Sequence, residues 1–122
     1  DLLQFFLFLF QTGYLSECDT LVTQCHLGAA FAEVHHLAVT AAFMQVVGAE
    51  VFLPETVIIS ISDDGINFTE LQKQHFEVSK ETPIRFTDIS WQGEAKGRYV
   101  RYQAQAGSEF GGWIFTDEII VK

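Results

Sequence analysis

Two adjacent histidines, His35 and His36, and two adjacent aspartates, Asp63 and Asp64, are the residues that first suggest metal chemistry. Neither pair has suitable spacing. Neighbours in an extended segment point to opposite faces and cannot bind one ion. Asp63-Asp64-Gly65 carries its glycine at the third position with no glutamate at the twelfth, unlike a calcium loop. Cys18 and Cys25 are the only cysteines. In one extended segment, seven steps of about 3.3 Å hold them far beyond bridging distance, so a disulfide requires a turn between them. The residues favour a buried free thiol at Cys25 and leave the redox compartment open. No Gly-x-Ser-x-Gly elbow, glycine-rich phosphate loop or His-Glu-x-x-His is present, which argues against the common hydrolases, kinases and zincins and against an enzyme in general.

Aromatic and amide groups are the more useful chemistry. Tyr14, Gln45, Phe52, Phe110 and Trp113 fall near the ends of expected strands. Such a mixture suits a sugar, because an aromatic face packs on the C–H face of a pyranose while amides and carboxylates bond its hydroxyls. Each aromatic could equally fill a core, so the sugar reading requires their loops to converge.

The elements that must position these groups are strands. Thr56–Ser62 alternates with Val57, Ile59 and Ile61 on one face, just after Pro54. Asp63-Asp64-Gly65 predicts a turn, with 66–71 returning as the second arm of a hairpin. Segments 34–44, 84–91, 98–106 and 113–121 alternate similarly, and 21–27 is a further candidate. Residues 28–36 could form a helical turn, but no capped helical stripe is present. The expected class is all-β, an antiparallel jelly-roll sandwich of about eight strands, with Val57, Ile59, Ile61, Val100 and Tyr102 inward.

The 122 residues suffice for one domain with one core. Charged types make up 19% against roughly 25% in typical soluble domains, which argues against disorder. The net charge of −9 works against nucleic acid, whose phosphates need clustered Lys and Arg. All of it sits in residues 1–72, which hold nine carboxylates and no Lys or Arg; residues 73–122 hold seven of each sign. Residues 1–10 are apolar at eight positions, too short for a membrane span and lacking the basic leader of a signal peptide. The run FFLFLF at 5–10 is apolar at both strand parities, so a neighbouring domain, a second copy or a loop is expected to cover its second face, a second copy being favoured.

Three stretches carry a family resemblance: 38–45 (AVTAAFMQ), 51–57 (VFLPETV) and 59–68 (ISISDDGINF). With 97–102 (GRYVRY) and 112–121 (GWIFTDEIIV), the chain over about residues 19–122 resembles a discoidin-type domain, also called coagulation factor V/VIII type C or galactose-binding-like. The version with Gln45, Leu53-Pro54 and the Trp113-to-Ile119 pattern looks most like accessory modules of bacterial glycoside hydrolases such as family 20 hexosaminidases. His26 stands where that family has Asp, and the Phe/Leu-rich opening replaces a polar loop.

The resemblance implies that residues 1–122 are a single domain excised from a larger multidomain protein. It further implies a non-catalytic carbohydrate-binding accessory module, secreted, periplasmic or cell-surface. The alternative is a structural or protein-interaction module packing on a neighbouring domain. Ligand groups are expected at Tyr14, Gln45, Glu50, Phe52, Glu109, Phe110 and Trp113, in three loops at one end of the sandwich. No cofactor is required. A structural calcium is the one ion the resemblance brings, with Asp1 and Glu118 as candidate ligands, short of the six to eight oxygens calcium prefers.

Overall fold

The computed structural model describes residues 3–5, 10–12, 20–27, 32–107 and 112–122. They form nine strands: β1 (Leu3–Phe5), β2 (Phe10–Thr12), β3 (Thr20–His26), β4 (His35–Val46), β5 (Thr56–Ser62), β6 (Thr69–His75), β7 (Ile84–Ala95), β8 (Tyr99–Gln105) and β9 (Gly112–Val121). One sheet runs β1-β9-β4-β7, with β2 also on β9; the other runs β3-β8-β5-β6. Every pairing is antiparallel. The architecture is the expected two-sheet sandwich, and the only helical piece among the described residues is a 3-10 turn, Val47–Ala49. Of the expected helical turn at 28–36, residues 28–31 lie outside the described set, and His35 and His36 already belong to β4.

Alternation builds the core. Along β4, Leu37, Val39, Ala41, Phe43 and Gln45 are buried while the residues between them are partly exposed. From the other sheet, Val57, Ile59, Ile61, Val100, Tyr102 and Ala104 are buried in the same cluster, so the five residues expected inward are inward. Each such large apolar side chain contributes about 1.5–3 kcal/mol by leaving water. The Phe43 and Tyr102 rings lie 6.2 Å apart, and the Tyr102 hydroxyl donates to the Ile89 carbonyl at 3.2 Å, joining one sheet to the other.

Two stretches depart from simple alternation. The return arm of the hairpin begins at Thr69, not Ile66. Asp64 Oδ1 accepts from the backbone N–H of Ile66 and of Asn67, both at 2.8 Å, and Ser62 Oγ accepts from Gly65 at 2.9 Å. These local bonds take up donors a ladder would use and widen the turn. Gly65 sits in it at φ 77°, open to glycine without strain. In β9 the register jumps, with Ala41 opposite Ile119 but Phe43 opposite Thr116. This bulge gives β9 one extra residue and keeps Ile114, Thr116, Ile119 and Val121 all buried. The Thr116 hydroxyl donates to the Ala42 carbonyl beside it at 2.6 Å.

Candidate functional site

The register decides which loops meet. Val46, the last residue of β4, pairs with Ile84, the first of β7. Thr56 at the start of β5 lies between His75, the last residue of β6, and Gln105, the last of β8. Thr20 at the start of β3 also faces Gln105, and Thr12 at the end of β2 faces Gly112 at the start of β9. β2, β4, β6 and β8 therefore end, and β3, β5, β7 and β9 begin, at one end of the sandwich. Connection 47–55 carries Glu50 and Phe52 there. Tyr14, Glu109 and Phe110 themselves lie outside the described residues, as does the side chain of Trp113, whose backbone opens β9.

Gln45 and Phe52 require correction. Gln45 is 1% exposed, and its carboxamide is engaged inside the protein. Its Nε2 donates to the carbonyls of Ser79 at 2.8 Å and Thr82 at 3.0 Å, and its Oε1 accepts from the Leu53 N–H at 3.3 Å. A buried amide keeps such partners because losing them is unfavourable. Gln45 braces two loops and offers nothing to a sugar. Phe52 is buried as well, with the Lys80 ammonium 5.6 Å from its ring centre, so it presents no free stacking face. Glu50 is exposed, closing the 3-10 turn at φ 59° with its N–H donating to the Val47 carbonyl at 3.0 Å. A non-glycine residue in that region is uncommon.

Among the described residues no group of three or more His, Cys, Asp or Glu could hold a metal ion. His35 is half-buried and His36 exposed, on opposite faces of β4, and His35 Nδ1 lies 2.8 Å from the Glu33 carbonyl. Asp1 is outside the described residues. The β1–β9 register puts Leu3 opposite Val121, three residues from Glu118 along β9, so about 10 Å of strand separates Glu118 from Leu3. Cys18 and the Cys25 side chain are likewise outside the described set.

At the same end, between the sheets and beside the free edge of β7, lies an open groove of about 200 Å³. Its apolar lining comes from Leu53, Pro54, Phe76, Val78 and Ile89, and its polar lining from Glu77, Arg85 and Thr87. No described carboxylate forms a salt bridge with Arg85. The sequence held a signal for this site. Arg85 shares the parity of Ile89, a core residue, and an arginine on the core face at the open end of a strand is unusual.

The outer face of the β4 sheet has a different character near this end. Ile84 is 62% and Phe86 71% exposed, and Phe86 pairs with Met44, which in turn pairs with Phe115. No helix among the described residues is long and apolar enough to cross a membrane.

No protein-family model matches the sequence, and no curated protein matches it. Solved structures do match in fold. Dimeric latent PorU of Porphyromonas gingivalis superposes with a TM-score of 0.57 at 13% identity, over 99% of this chain and 12% of that one. The K3 cleaved adhesin domain of Lys-gingipain from the same organism gives 0.51 at 17% identity, over 84% of this chain and 63% of that one. CBM32-3 from a family 31 glycoside hydrolase of Clostridium perfringens gives 0.42 at 10% identity, over 96% and 89%. The chain is thus similar to part of PorU and to most of the K3 domain in the way its strands are arranged, and it is an all-β sandwich of that kind.

Proposed function

We propose that this domain is a non-catalytic binding module that holds a carbohydrate at the loop end of its sandwich, as an accessory module of a secreted, periplasmic or cell-surface glycoside hydrolase. The observation that carries this reading is the groove between β7 and the 76–78 segment. It combines an apolar floor with a guanidinium, a carboxylate and a hydroxyl, the groups a pyranose ring and its substituents would use. The discoidin-like motifs at 38–68 and 97–121 support the same reading from the sequence. A site this small takes one sugar residue, and its affinity falls in the micromolar to millimolar range, about −8 to −4 kcal/mol. Titration with galactose and N-acetylhexosamines, followed by backbone amide shifts, tests it. Shifts confined to 47–55, 76–89 and 106–113 are expected, and no shift in these segments at millimolar sugar overturns it.

The exposed Ile84 and Phe86 favour a second reading, in which the outer face of the β4 sheet packs on a neighbouring domain of the parent protein. Phe5 and Phe10, the two ends of the apolar run, belong to β1 and β2 at the opposite border of that sheet, and a homodimer through the run is the self-association version. Light scattering that finds a monomer at high concentration removes the dimer.

A further inference from the structure

Resting on the carbohydrate reading, we propose that the groove selects an acidic, N-acylated sugar residue, with Arg85 as the group that reads the carboxylate. Arg85 and Thr87 lie on the core-side parity of β7, and the groove places both beside Glu77 and the apolar floor. Arg85 is exposed, and no described carboxylate bridges it. A guanidinium in that state presents a planar fork of donors matched to a carboxylate, and such pairs are stronger than neutral hydrogen bonds. A neutral hexose offers this fork only hydroxyl oxygens, weaker acceptors than a carboxylate.

The remaining lining fits the rest of such a ligand. Leu53, Val78 and Ile89 offer an apolar floor, which a ring of hydroxyls alone does not repay but an acyl methyl does. The Glu77 carboxylate accepts from ring or chain hydroxyls. Thr87 supplies a hydroxyl that both donates and accepts. About 200 Å³ lies below the range of drug-sized pockets, which confines recognition to a single terminal residue. The overall charge of −9 opposes any anion at long range, so selection must come from the groove at close quarters.

N-acetylneuraminic acid, N-acetylgalactosamine, glucuronic acid and galactose, titrated separately against the whole chain and followed by amide shifts, test the assignment. N-acetylneuraminic acid is expected to shift Phe76 to Val78 and Arg85 to Ile89, with at least a tenfold lower Kd than galactose. Arg85→Gln, an exposed substitution, is expected to raise that Kd about tenfold with an unchanged Tm and to weaken galactose far less, so that the preference for the acidic sugar is lost. Arg85→Lys is expected to recover only part of the loss. Equal affinity for acidic and neutral sugars, or acid-dependent shifts outside the groove, overturns the assignment and leaves carbohydrate binding standing. Silence from all four sugars overturns both. Glucuronic acid binding as tightly as N-acetylneuraminic acid overturns the role given to the apolar floor.

Discussion

Gln45 holds Thr82, 37 residues further along the chain, through a 3.0 Å hydrogen bond from its Nε2 to the Thr82 carbonyl. The same nitrogen reaches the Ser79 carbonyl and the same amide receives the Leu53 N–H, so one side chain fixes both loops that border the groove. Gln45→Leu strips all three partners and is expected to lower stability by about 1–3 kcal/mol, with amide shifts at 79–83. Gln45→Glu sets a carboxylate against two carbonyl oxygens, so its deficit should be larger at pH 7 than at pH 4, where the protonated group can donate. Urea unfolding of both variants at the two pH values checks this, and wild-type stability in both excludes the brace.

Tyr102 predicts an alkaline limit. Burial pushes its ionisation well above the ordinary value of 10.0. A group raised in this way by folding gives stability that is complete below the unfolded value and is lost as pH rises past it. Unfolding free energy is therefore expected to fall from about pH 10 upward. Tyr102→Phe should flatten that slope and lower neutral-pH stability by about 1 kcal/mol, the hydrogen bond to Ile89 being lost. A slope identical in the variant rules out Tyr102 as its source.

Asp64 predicts the acid side. Its carboxyl is held well below the ordinary value of 3.8, first by the backbone N–H of Asn67, then by that of Ile66, then by the Asn67 and Ser62 side chains. A depressed carboxyl contributes stability that is full above the unfolded value and is lost as pH falls through the folded one. Asp64→Ala should lower Tm at pH 7 by a few degrees, with the gap to wild type closing as pH drops below about 3.8. Thermal melts from pH 7 to pH 2 measure the gap, and one independent of pH counts against the charge.

Gly97 is buried where a Cβ would press on Ile61 and come within 3.0 Å of the Ser62 carbonyl. That carbonyl already accepts the Arg98 N–H at 2.8 Å, which limits how far the backbone can yield. Gly97→Ala is expected to destabilise by about 1–3 kcal/mol through overpacking, read from the urea midpoint with an unchanged slope.

Val57, Ile59 and Ile61 were legible in the sequence because a strand with one buried face must alternate, and they do. The stretch 113–121 was legible as a strand but not in its facing. Thr116 and Ile119 are both buried three positions apart, a spacing only the bulge in β9 can reconcile. The convergence of the loops came from the family pattern, whereas the fate of Gln45 could not be read at all. Its partners lie 34 and 37 residues away, and nothing local distinguishes a bracing amide from a ligand-binding one. Arg85 was visible in principle from its parity, but an arginine near a strand end is so often solvated that parity alone gives it no prominence.

Strand order also sets a timetable for synthesis. β1 and β2 pair with β9, and β3 pairs with β8, so within this domain the first strands synthesised bond to the last. Until residues 99–121 have emerged, the Phe- and Leu-rich opening and β3 have no ladder to join. β4 with β7, and β5 with β6, can close first and leave the two outer borders for last. Closure of such distant pairs is slow, on a scale of milliseconds to seconds for sandwiches. Throughout that interval a nascent chain carries the run FFLFLF without its partner strand, the condition under which apolar segments aggregate with their neighbours.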